Sequence, residues 1–208
     1  MLIPAVHLVT DRLLVPDLTA AVRAALARSP PATVAVHLRD KDLGGRDLLS
    51  LARALFAACE AAGQLLLVND RIDVALAAGA HGVHLPSAGV PPAEGRRLLG
   101  RSRLLGVSCH GEEDVRRALA GGADFATFGP VFDTPSKRSY GPPVGLAALR
   151  AAARIGLPLI ALGGVDIASA PAALAAGACG VAAIRAWLTT PDPGLAVAAL
   201  LAATRPSP

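Results

Sequence analysis

Basic and polar side chains stand directly after short apolar runs at several places in this chain of 208 residues. Arg39 and Lys41 follow one such run, and Asn69 and Asp70 follow the next. Two cations this close repel each other unless an anion lies near them, so the pattern predicts a site for an anionic ligand. Asp70 is a candidate Mg²⁺ ligand, since Mg²⁺ is usually held by one or two carboxylates together with substrate phosphates. Asn69 and Asp70 are equally suited to cap the helix that follows.

The two cations alternate along an extended run, so Arg39 and Lys41 are expected on the same side of the chain, in phase with His37. Pairing with Asp40 or Asp42 is the structural alternative. Those carboxylates alternate to the opposite side, which favours ligand binding by the two cations.

Gly163 and Gly164 follow another apolar run and are expected to open a helix. Backbone amides without side chains can approach an anion closely, and a helix N-terminus favours negative charge, so this turn is a candidate phosphate site. Arg185, near the end of a later run, would add a positive charge to it. The alternatives are a tight turn that needs glycine for its geometry alone and an ordinary surface arginine.

His110 is the histidine best placed for proton transfer, because an imidazole titrates near neutral pH. It follows Ser108 by two residues, so the two side chains point the same way while the chain stays extended. The alternative is a hydrogen bond at the start of a helix, where Glu112 and Glu113 supply negative charge.

The elements that position these residues are short β-branched or Leu-rich runs, alternating with Ala/Leu/Arg segments of helical period. Strands are predicted at Val6–Val9, Val34–Leu38, Leu65–Val68, Gly82–Leu85, Leu104–Val107, Phe125–Phe128, Leu159–Leu162 and Gly180–Ile184. Helices are predicted at Leu18–Arg28, Asp47–Ala62, Ile72–Ala78, Ala93–Leu99, Glu112–Ala120, Leu146–Arg154, Ala168–Ala175 and Leu195–Ala203.

Eight strand–helix units of about 25 residues fill the chain, which favours a closed barrel over an open, doubly wound sheet of five or six strands. We therefore predict an α/β fold, a single-domain (β/α)₈ TIM barrel over residues 1–208, with residues 204–208 as a loose tail. In such a barrel the functional groups lie on the loops after the strands. His7, His81 and His84 are expected to pack in or near the barrel wall.

Composition limits the partners and the compartment. No apolar run approaches the roughly 20 residues that span a bilayer, so no membrane partner is expected. The net charge of +4 is spread over helical segments without a basic stripe, so no nucleic-acid partner is expected either. The three cysteines are few and widely spaced, which suits a reducing cytoplasm. A homo-oligomer is compatible with the sequence.

Seven sequence blocks in barrel order resemble the thiamine-phosphate synthase superfamily over nearly the whole chain. They are HLVTD at residues 7–11, VHLRDK at 36–41, VNDRID at 68–73, GVHL at 82–85, GVSCH at 106–110, GPVFDT at 129–134 and GGV at 163–165. The resemblance implies a (β/α)₈ barrel that binds a phosphorylated thiazole as its small-molecule partner.

The superfamily has two branches, and the sequence carries features of both. The synthase branch joins a pyrimidine methyl diphosphate to a thiazole phosphate with Mg²⁺, releasing pyrophosphate. The tautomerase (TenI-type) branch aromatises a carboxylated thiazole phosphate by moving a proton, without a metal. Synthase positions kept here are Arg39, Lys41, Asn69, Asp70, Ser108, Thr134 and Lys137.

Three positions depart from the synthase pattern. His37 replaces a glutamine, Arg185 replaces a serine, and Gly89 replaces the second metal-binding carboxylate. Leu85-Pro86-Ser87 resembles the tautomerase version of its loop, and His110 matches the histidine that moves the proton there. Because a diphosphate is bound and ionised less well with one carboxylate fewer around its Mg²⁺, we expect the tautomerase, an isomerase without a cofactor.

The expected site follows from that branch. His110 is the expected catalytic base and acid, and Gly163, Gly164 and Arg185 hold the phosphate. The substrate-binding residues are expected to be Arg39, Lys41, Asn69, Ser87, Ser108, Thr134, Ser136 and Lys137. The alternatives are a synthase with altered metal binding, in which Asp70 holds Mg²⁺, and a non-catalytic relative that binds a thiazole or thiamine phosphate.

Overall fold

Eight parallel strands form a closed barrel in the computed structural model, which describes residues 2–134 and 142–205. Each strand pairs with the next, and the last pairs with the first. The strands are β1 Val6–Val9, β2 Val34–Leu38, β3 Leu65–Asn69, β4 Gly82–Leu85, β5 Leu104–Cys109, β6 Phe125–Phe128, β7 Leu159–Leu162 and β8 Gly180–Ala183. The predicted (β/α)₈ barrel is confirmed.

Helices cover the outside of the barrel. They are α1 Leu18–Leu26, α2 Gly45–Ala61, α3 Ile72–Ala78, α4 Pro92–Leu99, α5 Glu112–Ala120, α6 Gly145–Ala153, α7 Ala170–Ala175, α8 Arg185–Leu188 and α9 Pro193–Ala203. The sequence analysis missed α8 and a 3₁₀ turn at Arg12–Leu14, since elements of three or four residues are too short to show a period. Within the described ranges, none of these helices has the length and apolar character to cross a bilayer.

Alternating side chains along each strand build two apolar layers. Leu8 of β1 and Leu38 of β2 pack in the layer between the strands and the helices. Val9 and Ala35, one residue out of phase, pack inside the barrel with Phe125 of β6. Because the period of a strand is two, these phases determine which side of the wall the residues beyond each strand face.

Three buried histidines fill much of the barrel interior. The rings of His7, His37 and His84 lie beside Phe125, with centroids 4.9 Å apart for His7–His37 and 5.1 Å for His37–His84. His7 Nε2 lies 3.0 Å from the carbonyl oxygen of Pro4, which can only accept, so this nitrogen carries the proton. Neutral His7 therefore accepts at Nδ1 from His37 Nε2, at 2.7 Å.

Burial disfavours the charged form of these rings. Desolvation lowers the pKa of His7 from 6.5 to about 3. The pKa of His37 is also lowered well below 6.5, by burial first and then by its histidine neighbours. The expectation that His7 and His84 pack in the barrel wall is confirmed, since both are buried.

The histidine cluster makes the fold acid-sensitive. Below pH 6.5 the unfolded chain takes up protons that folded His7 binds only near pH 3, so stability present above pH 6.5 is lost as the pH falls. At about 1.4 kcal/mol per pH unit, His7 alone should cost about 2 kcal/mol by pH 5. Urea unfolding between pH 8 and pH 5 measures this loss.

The control for this loss is His7 itself. His7→Gln removes the buried ring that titrates, so its stability should change less between pH 8 and pH 5 than that of the wild type. A free energy of unfolding that stays flat from pH 7 to pH 5 would contradict the prediction.

Candidate active site at the carboxyl end of the barrel

The candidate site residues lie at one end of the barrel because every strand is parallel. Each of those that the structure describes stands close to the carboxyl end of a strand, and these ends share one rim. Ser136 and Lys137 lie outside the described residues. Ser87 is exposed on the loop after β4, and Thr134 follows β6.

Arg39 and Lys41 lie beyond the end of β2 at Leu38, in the loop that leads to α2. Within residues 2–134 and 142–205, neither side chain makes an ion pair. The alternative of pairing with Asp40 or Asp42 is not observed, because both carboxylates contact Arg12 instead. The two cations are thus available for an anionic ligand.

A cavity of about 200 Å³ opens above the ends of β2, β3 and β4. Its polar lining is Asp40, Lys41, Asn69, Asp70 and Arg71, and Pro86 closes one side. Two cations, an amide and two carboxylates therefore share one hollow, and Arg39 is not among the residues that line it.

His37 does not accompany the cations into the loop. It is buried inside the barrel, 2% exposed and hydrogen-bonded to His7, so its ring is part of the core. Arg39, two residues further on, lies close enough to His84 to affect its titration. Burial, and then the charge of Arg39, lower the pKa of His84 to about 4.

Asn69 is the last residue of β3, and Asp70 follows it with a backbone φ of 67°. The N-cap of α3 is Arg71, which makes no side-chain cap, so the capping alternative for Asn69 and Asp70 is not observed. Asp70 is exposed, and no side chain of residues 2–134 or 142–205 pairs with its carboxylate. A φ in the left-handed region is uncommon outside glycine and often accompanies function.

The loop after β4 places Gly89 against Asp70. A Cβ at Gly89 would lie 3.2 Å from Asp70 Oδ1, but only 2.8 Å from Pro86 Cγ. A side chain at position 89 would therefore reach the Asp70 carboxylate, and the ring of Pro86 stands in its way. Of the two carboxylates that line the cavity, Asp40 is buried and bound by the loop after β1, whereas Asp70 is exposed. The described residues form no group of three His, Cys, Asp or Glu ligands.

On the other side of the rim, a hydrogen bond to a backbone carbonyl holds the ring of His110. Its Nδ1 lies 2.5 Å from the carbonyl oxygen of Gly129, so Nδ1 donates and Nε2 remains for another partner. Its backbone amide donates to Asp114 Oδ2 at 2.9 Å, whereas its ring caps no helix, since the N-cap of α5 is Gly111 without a side-chain bond. Ser108 is half-buried one residue before the end of β5.

The loops after β6 and β7 are bound to each other. Val131 N donates to Leu162 O, and Phe132 N donates to Gly163 O, both at 2.9 Å. A Cβ at Gly163 would lie 2.5 Å from Pro130 Cα, so this turn needs glycine for close packing. Packing is therefore a sufficient reason for glycine at position 163.

The turn at Gly163 and Gly164 also presents free amides. Within the described ranges, neither nitrogen donates to a backbone carbonyl. The next helix, α7, begins only at Ala170, so the expectation that the glycines open a helix is wrong. The serine and aspartate at 166–169 form a local turn first, with Ser169 N donating to Asp166 Oδ1 at 2.8 Å. Arg185 begins α8 and is exposed, rather than ending β8.

Comparison with known proteins gives a consistent family. A family model described as thiamine monophosphate synthase (TMP-TENI) matches residues 6–187. A putative thiamine-phosphate synthase of Geobacter sulfurreducens is 51% identical over 205 residues, covering 97% of this chain and 95% of that protein. The thiamine-phosphate synthase of Roseiflexus sp. (strain RS-1) is 42% identical over 198 residues, covering 94% of this chain and 83% of that protein.

The fold agrees with these relatives. The solved thiamine phosphate pyrophosphorylase from Pyrococcus furiosus superimposes with a TM-score of 0.84 at 28% identity, covering 96% of this chain and 94% of that one.

The expected tautomerase activity, and the classification as an isomerase, are wrong, because these relatives are named as synthases. The error came from the weight placed on Gly89. One carboxylate is enough for Mg²⁺ when substrate phosphates supply further oxygens. The expected role of His110 as the catalytic base depended on the tautomerase activity.

Packing of the glycine turn can be tested with a matched pair. Gly163 and Gly156 both have φ of 95°, but a Cβ at Gly156 would have no neighbour within 4 Å. Gly163→Ala should lower the free energy of unfolding by about 2–4 kcal/mol, from backbone strain and a clash with Pro130. Gly156→Ala carries only the strain, about 1 kcal/mol. Equal losses in urea unfolding would show that Pro130 does not constrain the turn.

Proposed function

Because the chain belongs to the thiamine monophosphate synthase family, we propose that it is a thiamine-phosphate synthase. It joins a pyrimidine methyl diphosphate to a thiazole phosphate. The thiazole nitrogen forms a bond to the methyl carbon, the carbon–oxygen bond to the diphosphate breaks, and pyrophosphate leaves. The observation that carries this proposal is similarity to named synthases along almost the whole chain.

The diphosphate is assigned to the side of the rim that carries full charges. Arg39 and Lys41 have no ion-pair partner among the described residues, and Lys41 lines the cavity with Asn69 and Asp70. Guanidinium and ammonium groups bind diphosphate oxygens through charge-assisted hydrogen bonds. They also stabilise the negative charge that grows on the leaving oxygen.

Mg²⁺ fits this side when the substrate is bound. Asp70 would supply one carboxylate and Asn69 an amide oxygen, which matches the usual share of a protein in a Mg²⁺–phosphate site. Bound Mg²⁺ would neutralise the diphosphate and make pyrophosphate a better leaving group.

The thiazole phosphate is assigned to the free amides of Gly163 and Gly164. The order of the loops supports this, since barrels commonly bind phosphate after strands 7 and 8. Further substrate contacts are assigned to Ser87, Ser108, Thr134, Ser136, Lys137 and Arg185.

The direct test is the reaction itself. Purified protein with pyrimidine methyl diphosphate, thiazole phosphate and Mg²⁺ should release pyrophosphate and form thiamine phosphate in equal amounts. EDTA should abolish both, and excess Mg²⁺ should restore them. Asp70→Asn should raise the Mg²⁺ concentration for half-maximal rate by roughly tenfold or more, the scale of one charge-assisted contact.

The control is Asp42→Asn, which removes an exposed carboxylate from the neighbouring loop. It should leave the Mg²⁺ requirement unchanged. Tight binding of both substrates without product would favour a non-catalytic relative instead.

A second test concerns His110. The thiazole nitrogen reacts through a lone pair and carries no proton, so this reaction needs no base to activate it. His110→Ala should therefore retain the rate of pyrophosphate release within about tenfold, whereas loss of a general base costs about 10²–10⁴-fold. A loss in that larger range, with the fold intact by circular dichroism, would assign the ring a proton-transfer role after all.

A further inference from the structure

A buried carboxylate stands between the two cations of the β2 loop. Only 2% of the Asp40 side chain is exposed, whereas Arg39 is half-buried and Lys41 is exposed. Burying a carboxylate costs free energy unless hydrogen bonds satisfy its oxygens. The hydrogen-bond donors to Asp40 therefore identify the part of the structure that holds it.

Those partners come from the loop after β1. Thr10 Oγ1 donates to Asp40 Oδ2 at 2.9 Å, and Arg12 N donates to Asp40 Oδ1 at 2.8 Å. The guanidinium of Arg12 adds a weaker contact, with Nε 4.0 Å from Oδ1. Asp40 therefore binds the loop after β1, and Asp42 contacts Arg12, so Arg39 and Lys41 have no carboxylate partner from their own loop.

The hydroxyl of Thr10 carries the constraint on to Arg39. While it donates to Asp40, the same oxygen accepts from the backbone amide of Arg39 at 2.9 Å. Thr10 is fully buried, and its own amide donates to His37 O at 3.0 Å. Thr10 thus binds the peptide groups on both sides of Leu38, the residue before Arg39.

The phases of the strands give this constraint a direction. Thr10 continues the outer phase of Leu8, and Asp40 continues the outer phase of Leu38. Arg39 continues the inner phase of His37, and its charge acts on His84 inside the barrel. Fixing Asp40 on the outer side of the wall thereby keeps Arg39 on the inner side, at the mouth.

We propose that Thr10 and Asp40 are positioning residues that hold Arg39 toward a diphosphate anion at the barrel mouth. The identity of the anion rests on the proposed function. Thr10 itself touches no substrate, since it is buried on the outer side of the wall. It acts through Arg39.

The test measures binding of inorganic pyrophosphate by calorimetry, without Mg²⁺ or the second substrate. Thr10→Val keeps the shape of the side chain but can neither donate nor accept, and it should weaken binding roughly tenfold, the value of one net hydrogen bond. Thr10→Ser keeps the hydroxyl and should stay within about threefold of the wild type. Asp42→Asn is the control from the same loop and should not weaken binding.

A double-mutant cycle separates positioning from a general structural effect. If Thr10 acts through Arg39, then Thr10→Val should add no more than about twofold to the loss already caused by Arg39→Ala. Independent losses that multiply would overturn the inference, as would wild-type affinity in Thr10→Val.

Folding is checked by the urea midpoint of each variant. Asp40→Asn keeps the shape of the side chain and one acceptor oxygen. If the Thr10→Val variant does not fold, pyrophosphate binding is measured on Asp40→Asn instead. If neither folds, the pair is a stability element and the inference is overturned.

An enzyme that binds pyrophosphate but forms no thiamine phosphate would refute the proposed function alone. Product formation without any binding of pyrophosphate would refute the inference alone.

Discussion

The interior of a closed barrel has to be filled by side chains that leave no polar atom without a partner, and this chain fills much of it with neutral histidine. His7, His37 and His84 share the space with Phe125. Glycine in the strands makes room for them, since a Cβ at Gly106 would lie 2.3 Å from the Phe125 ring and 2.8 Å from the His84 ring. Burial lowers the pKa values of these rings and keeps them uncharged near neutral pH, and the charge of Arg39 at the rim lowers the pKa of His84 further.

Much of the fold could be predicted from the sequence, because the period of two in the strands and the helical period between them extend over the whole chain. The site residues that end a strand were predictable for the same reason. The roles of Thr10 and Asp40 could not be predicted, because a polar residue after a strand is indistinguishable from an ordinary loop residue until its hydrogen-bond partner is known. The only indication was their phase, which continues the outer positions of Leu8 and Leu38. Buried Gln64, whose side chain accepts from Val34 N and donates to Pro30 O, was missed in the same way.

The functional error has a physical lesson of its own. The replacement of a carboxylate by Gly89 was read as the loss of a metal site, as if the protein had to supply every ligand. The structure shows instead that position 89 adjoins Asp70 and that Pro86 fills the space a side chain would need. A substrate that carries a diphosphate brings its own oxygens, so one protein carboxylate is compatible with the same chemistry. Counting the carboxylates in a sequence underestimates the number of metal ligands where the substrate itself supplies some of them.

Under the proposed function, the charges on the rim are divided according to what each anion does during the reaction. The diphosphate gains negative charge as its bond to carbon breaks, and the cations Arg39 and Lys41 lie on that side, with Asp70 as the carboxylate that would hold Mg²⁺. Groups that meet a developing charge bind the transition state more tightly than the substrate, which is what lowers the barrier. The thiazole phosphate keeps the same charge throughout, so tighter binding there would lower KM without raising kcat. Neutral amides in a glycine turn that is fixed by its packing on Pro130 are sufficient for that task.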